Sequence, residues 1–97
     1  MVETIELIDV DEYTEPAQEP DYYAIYLRLS AKPSDAWRQC FDDEWRKVPT
    51  GLKRVVTVVD DRLRMEIHGD DMVQEQLDFV AELVRRANGA LRRNTPN

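Results

Sequence analysis

The chain has one cysteine, three glycines and, over its first 21 positions, no lysine or arginine. The lone thiol, Cys40, excludes an internal disulfide and any cysteine-based metal cluster. Glycine is too scarce and too scattered for a phosphate-cradling loop or a nucleophile elbow, and no His/Asp/Glu spacing suits a metal. No apolar run approaches the ~20 residues that span a bilayer. The opening Met-Val-Glu-Thr-Ile-Glu lacks the basic start and apolar core of a secretory signal. These absences predict a cytoplasmic protein with no membrane association, no cofactor, no metal and no catalytic residues.

Charge is unevenly spread. Residues 1–21 hold eight acids (Glu3, Glu6, Asp9, Asp11, Glu12, Glu15, Glu19, Asp21), leaving 12 acids and 13 bases in residues 22–97. The net charge of −7 therefore belongs to the leader. The remainder is close to neutral, so the low isoelectric point does not bar it from an anion.

Aromatics are also few, and three of the four tyrosines fall in one stretch, Tyr22–Ser30. Alternate strand residues point to opposite faces. One parity gives Tyr23, Ile25, Leu27 and Leu29; the other gives Tyr22, Ala24, Tyr26, Arg28 and Ser30. The spacing predicts a central strand with one core face and one aromatic, basic face. Pro33 stops it.

Upstream, residues 2–10 alternate loosely and read as an edge strand, with Glu3 and Glu6 on an exposed rim. Residues 11–21, with two prolines and five acids, read as a loop. Downstream, Ser34 and Asp35 open a helix. Trp37, Cys40, Phe41, Trp45 and Val48 fall at helical spacings on one stripe, and Asp42-Asp43-Glu44 falls largely outside it. Cys40 is expected to be buried, and Pro49-Thr50-Gly51 to end the helix.

Residues 54–59 and 62–68 flank Asp60-Asp61 as a hairpin, in which Val59 opposes Arg62 and Val56 opposes Met65. Its core face collects Val56, Val58, Leu63, Met65 and Ile67. Its other face collects Val55, Thr57, Val59, Arg62, Arg64, Glu66 and His68. Gly69 ends this strand. Asp71 and Gln74 fit a capping box for a second helix with the stripe Val73, Leu77, Val80, Val84, Ala87, Leu91. Asn88-Gly89 reads as its stop, although the apolar step at Leu91 could carry the helix one turn further, and Arg85, Arg86, Arg92 and Arg93 complement its negative end. Residues 94–97 read as a frayed tail.

The order is strand, strand, helix, strand, strand, helix. This predicts an α+β two-layer sandwich, an antiparallel four-stranded sheet with both helices on one face, like a circular permutation of the ferredoxin-like arrangement. Right-handed crossovers place Tyr22–Ser30 beside 62–68, with 54–59 beyond and the first strand on the other edge. It is one domain: an acidic strand and loop over 1–21, and the α+β body over 22–93.

The open sheet face gathers Tyr22, Tyr26, Arg28, Thr57, Arg62, Arg64 and His68. Valines, tyrosines and arginines together suit a protein interface, and two such faces about a two-fold axis make a homodimer. The leader suits a basic protein partner, or lies over the same face of its own chain with its carboxylates on Arg28, Arg62 and Arg64. The runner-up is single-stranded nucleic acid, with bases stacked on the tyrosines. Strand 62–68 lacks the glycine and aromatics that RNA-binding sheets place there. A small-molecule pocket between helix and sheet, lined by Trp37 and Trp45, is the third reading. His68 with Asp70 and Asp71 is better explained by helix capping than by a metal.

Overall fold

The computed structural model describes residues 3–49 and 54–94. Six elements follow in the expected order: β1 (Leu7–Pro16), β2 (Tyr22–Leu29), α1 (Asp35–Arg46), β3 (Val56–Val59), β4 (Arg62–His68) and α2 (Val73–Asn94). The strands form one antiparallel sheet in the order β1-β2-β4-β3. The fold is a compact α+β sandwich with the strand neighbours anticipated from crossover handedness.

The core follows from strand parity. Ile25, Leu27 and Leu29 of β2 and Leu63, Met65 and Ile67 of β4 are buried beside Trp37, Cys40 and Phe41 of α1 and Val80, Leu83, Val84 and Ala87 of α2. The hairpin register is as read, Val56↔Met65 through Val59↔Arg62. Its two-residue turn puts Asp60 at φ 55°, in the left-handed region that favours glycine. Ser34 caps α1 by accepting from Trp37 N at 3.2 Å, and its own hydroxyl bonds the Glu3 carboxylate.

Several expectations are corrected. The first strand spans Leu7–Pro16, and only a five-residue connection remains of the loop expected over 11–21. Val2 lies outside the described residues. The acids at 9–15 join the sheet because three arginines wait beside them, as described below. Two register shifts, between Leu7 and Asp9 and between Val10 and Thr14, bend this edge strand. In the second, Asp11 Oδ1 accepts from Tyr13 N at 3.1 Å, a local turn that holds the extra residues.

The helix does not stop at Asn88-Gly89. Asn88 is buried, and its amide accepts from Trp37 Nε1 (2.7 Å) and Ile5 N (3.0 Å) while donating to Ile5 O (2.8 Å). One side chain thus ties the N-terminal segment, α1 and α2 together, and the helix continues to Asn94. Thr50 and Gly51, expected to end α1, lie outside the described residues, as do 95–97 of the tail. Asp71 does not cap α2, which begins two residues later. Its Oδ2 accepts from His68 N (2.8 Å), and both its oxygens take the Arg54 guanidinium at 2.9 Å. Arg54 holds that carboxyl below the usual carboxylate range. Glu44, expected outside, is buried, with Lys47 Nζ at 2.8 Å reaching in from solvent.

Two variants test these joints by urea unfolding. Asn88→Ala strands three buried polar groups and lowers stability by about 2–4 kcal/mol. Asp60→Gly relieves the left-handed turn position and raises stability by about 0.5 kcal/mol.

Candidate functional site

The face of the sheet away from the helices is ordered in rows by strand register. Tyr22 opposes His68, Tyr26 opposes Arg64 and then Thr57, and Arg28 opposes Arg62 and then Val59. All seven residues singled out on the sequence therefore share this face. Tyr22 and His68 meet edge to face, with ring centroids 5.0 Å apart. The His68 Nδ1 accepts from Asp70 N at 3.0 Å, which settles the ring against the turn that follows β4.

The rows would be unstable alone, since Arg28 stands directly across from Arg62 and like charges there repel. β1 supplies the counter-charge. Asp9 takes both Nε and Nη2 of Arg28, and Asp11 Oδ2 lies 3.0 Å from Arg62 Nη1. Glu15 Oε1 accepts from Arg64 Nε (3.0 Å) and from the Tyr26 hydroxyl (2.7 Å). Arg64 also gives Nη1 to Glu66 at 2.6 Å. Tyr13 closes the group, its ring 5.8 Å from that of Tyr26 and its hydroxyl 3.3 Å from Glu15. The leader does not lie over this face but forms its edge strand, and its carboxylates meet Arg28, Arg62 and Arg64 as the charge match anticipated.

These contacts set the protonation of the cluster. The Tyr26 hydroxyl, then the Arg64 guanidinium, hold the Glu15 carboxyl below its ordinary value of 4.5. Glu15 in turn raises the Tyr26 phenol, so it stays a proton donor across the physiological range. Arg28 likewise lowers Asp9. Chemically, the result is a fixed lattice of donors and acceptors.

The two tryptophans are placed differently from a ligand pocket. Trp37 exposes no surface, stacks on Phe41 at 5.3 Å and gives its indole N–H to Asn88. Trp45 is half-buried and gives its indole N–H to the Arg54 carbonyl at 2.7 Å. Trp37 is core, because Asn88, which no local pattern links to it, meets its one polar atom. Cys40 is buried as expected. Glu15, Asp11 and Tyr13 are the site members that strand reading missed; the signal was the match of an acid-only leader to an arginine-rich face.

Among the described residues there is no group of three or more His, Cys, Asp or Glu suited to a metal, and no helix is long and apolar enough to cross a membrane. The chain matches no family model, no curated protein and no solved structure.

The lattice has a pH signature. A carboxyl whose folded-state pKa is depressed adds stability above its unfolded pKa, and that stability is lost as pH falls through the folded value. Glu15→Gln therefore lowers the urea midpoint at pH 7. The gap from the parent chain stays open down to about pH 4.5, the ordinary value, and closes below it. A gap that persists unchanged in acid would show that Glu15 acts through shape and not charge.

Proposed function

We propose that the chain is a small non-catalytic protein-interaction module of the cytoplasm, with the open sheet face as its binding surface and a second copy of itself as first partner. The observation that carries this reading is the preorganised lattice: Tyr26, Arg28, Arg62 and Arg64 are each held by an internal carboxylate before any partner arrives. Side chains already fixed lose little entropy on binding, and tyrosine and arginine dominate interface energetics. Charge favours self-contact. Three arginines on the face stand against four carboxylates, Asp9, Asp11, Glu15 and Glu66, so each face is nearly balanced and two such faces meet with much less repulsion than the net charge of −7 implies.

The same pairing weighs against nucleic acid. A phosphate must displace a carboxylate from each arginine, and it approaches a protein of its own sign. A basic protein partner is a more specific variant of the same interaction reading, supported by Glu6, Glu12 and Glu19, which hold no ion pair among the described residues.

Side-chain and amide NMR of the full chain over a concentration series tests the face. Signals of Tyr22, Tyr26, Arg28, Arg62, Arg64 and His68 are expected to shift together as the sedimenting mass rises. If they stay fixed at every concentration, the self-binding face is overturned. Their movement on adding short single-stranded oligonucleotides would assign the face to nucleic acid instead.

A further inference from the structure

The sheet has two outer edges of opposite character. β1 is ten residues long, but it is acidic and twice bulged, and charge and bulges keep an edge strand from pairing with another chain. β3 has none of these. Residues 55–59 read Val-Val-Thr-Val-Val, five β-branched residues without charge, proline or glycine, and their register against β4 is unbroken from Val56 to Val59. No further strand flanks β3 among the described residues. Val55 and Val59 are among the exposed large apolar residues of the chain, at 48% and 41%. α1 does not seal this edge, since an open cleft of about 290 Å³ lies between it and β3, rimmed by Arg38 and Asp42.

The free backbone groups can be assigned. Glu66 N donates to Val55 O at 2.9 Å, so residues 55 and 66 form a hydrogen-bonded pair. Antiparallel ladders alternate bonded and non-bonded pairs. Thr57 and Val59 therefore bond inward to Arg64 and Arg62, while Val56 and Val58 aim their N–H and C=O groups outward.

We infer that β3 is a strand-addition edge whose occupant is β3 of a second copy, antiparallel about a two-fold axis at Thr57. In that register Val56 of each copy exchanges backbone hydrogen bonds with Val58 of the other. Thr57 meets Thr57, a favourable cross-strand pair. Each exposed valine finds the other, Val55 against Val59 of the second copy. Arg54 comes opposite Asp60 of the second copy, and Arg38 and Asp42 line both sides of the contact with opposite charges. Nothing acidic faces itself across the axis. The contact goes beyond open-face packing and does not require it, because it is made by the outward backbone groups of Val56 and Val58, whereas face packing uses side chains; joined edges extend the two open faces into one sheet.

Hydrogen exchange of the full chain, followed with sedimentation at matched concentrations, tests the edge. The Val56 and Val58 amides are expected to exchange fast when dilute and to gain protection of at least about tenfold as the dimer forms. The Thr57 amide, bonded inward to Arg64 in either state, serves as the control. Val58→Pro removes one outward donor at a position where an edge strand tolerates proline. It is expected to weaken dimerisation by about tenfold or more while leaving inward amides and open-face signals as in the parent monomer. Fast exchange of Val56 and Val58 at concentrations where a dimer sediments would overturn the edge contact and leave face packing standing. If Val58→Pro does not fold, the exchange data on the parent chain decide alone. Protected Val56 and Val58 amides with unmoved face signals would retain the edge and remove the face.

Discussion

The pairing of β1 carboxylates with the arginines of β2 and β4 is the constraint on which the open face depends. Without Asp9 and Asp11, Arg28 and Arg62 would confront one another across the ladder; without Glu15, Tyr26 and Arg64 would lose their shared acceptor. An exposed ion pair taken singly contributes little. Here the pairs share partners and sit over a strand interface, so their main effect is on geometry: they fix which rotamers the face presents. The leader is consequently no free acidic tail. Its Ile5 is buried in the core under the Asn88 amide, and its strand is the sheet's first edge. Removing residues 1–21 would strip core and counter-charge together, so loss of partner binding after that deletion would not locate a binding site in the leader.

Much of this was legible in the sequence where the signal is local. Strand parity in residues 22–30 and the hairpin about Asp60-Asp61 were readable because side-chain alternation has a fixed period and a short turn fixes register. The stripe from Trp37 to Trp45 was readable because helical spacing is equally regular. What was misread turned on partners far away in the chain. Asn88-Gly89 has the composition of a helix stop, yet Ile5, 83 positions away, claims the amide. Asp71 has the spacing of a cap, yet Arg54 and the His68 amide hold it more strongly. Residues 11–16 have the composition of a loop, yet residues 14–16 pair with β2, and Asp11 and Glu15 meet arginines of β4 that lie far away in the chain.

Glu44 illustrates the same limit on a smaller scale. Its place in an acidic triplet assigns it to the solvent face, but helical geometry puts residue 44 within reach of the stripe that carries Phe41 and Trp45. Burial of its stem is tolerated because Lys47, three residues on, brings a flexible ammonium to the carboxylate. Sequence period locates the centre of a helical face; its margins are decided by which neighbouring side chain can follow a charge inward.

The asymmetry of the two sheet edges bears on how such a chain stays monomeric long enough to fold. An uncharged β-branched edge invites indiscriminate strand pairing. Two features here restrict the choice. β3 is four residues long, so it presents outward bonding groups on Val56 and Val58 only, too few to hold a partner in a slipped register against the loss of translational freedom. A slip by two residues would abandon one of the two bonded pairs and set a valine against an aspartate of the turn; a slip by one would turn apolar side chains to the wrong face. The opposite edge is acidic and bulged, which disfavours a second strand there and would keep a pair joined at β3 from growing further. If the proposed β3 contact forms, a short permissive edge opposite a charged and bulged one therefore favours a closed two-fold pair over an open-ended stack.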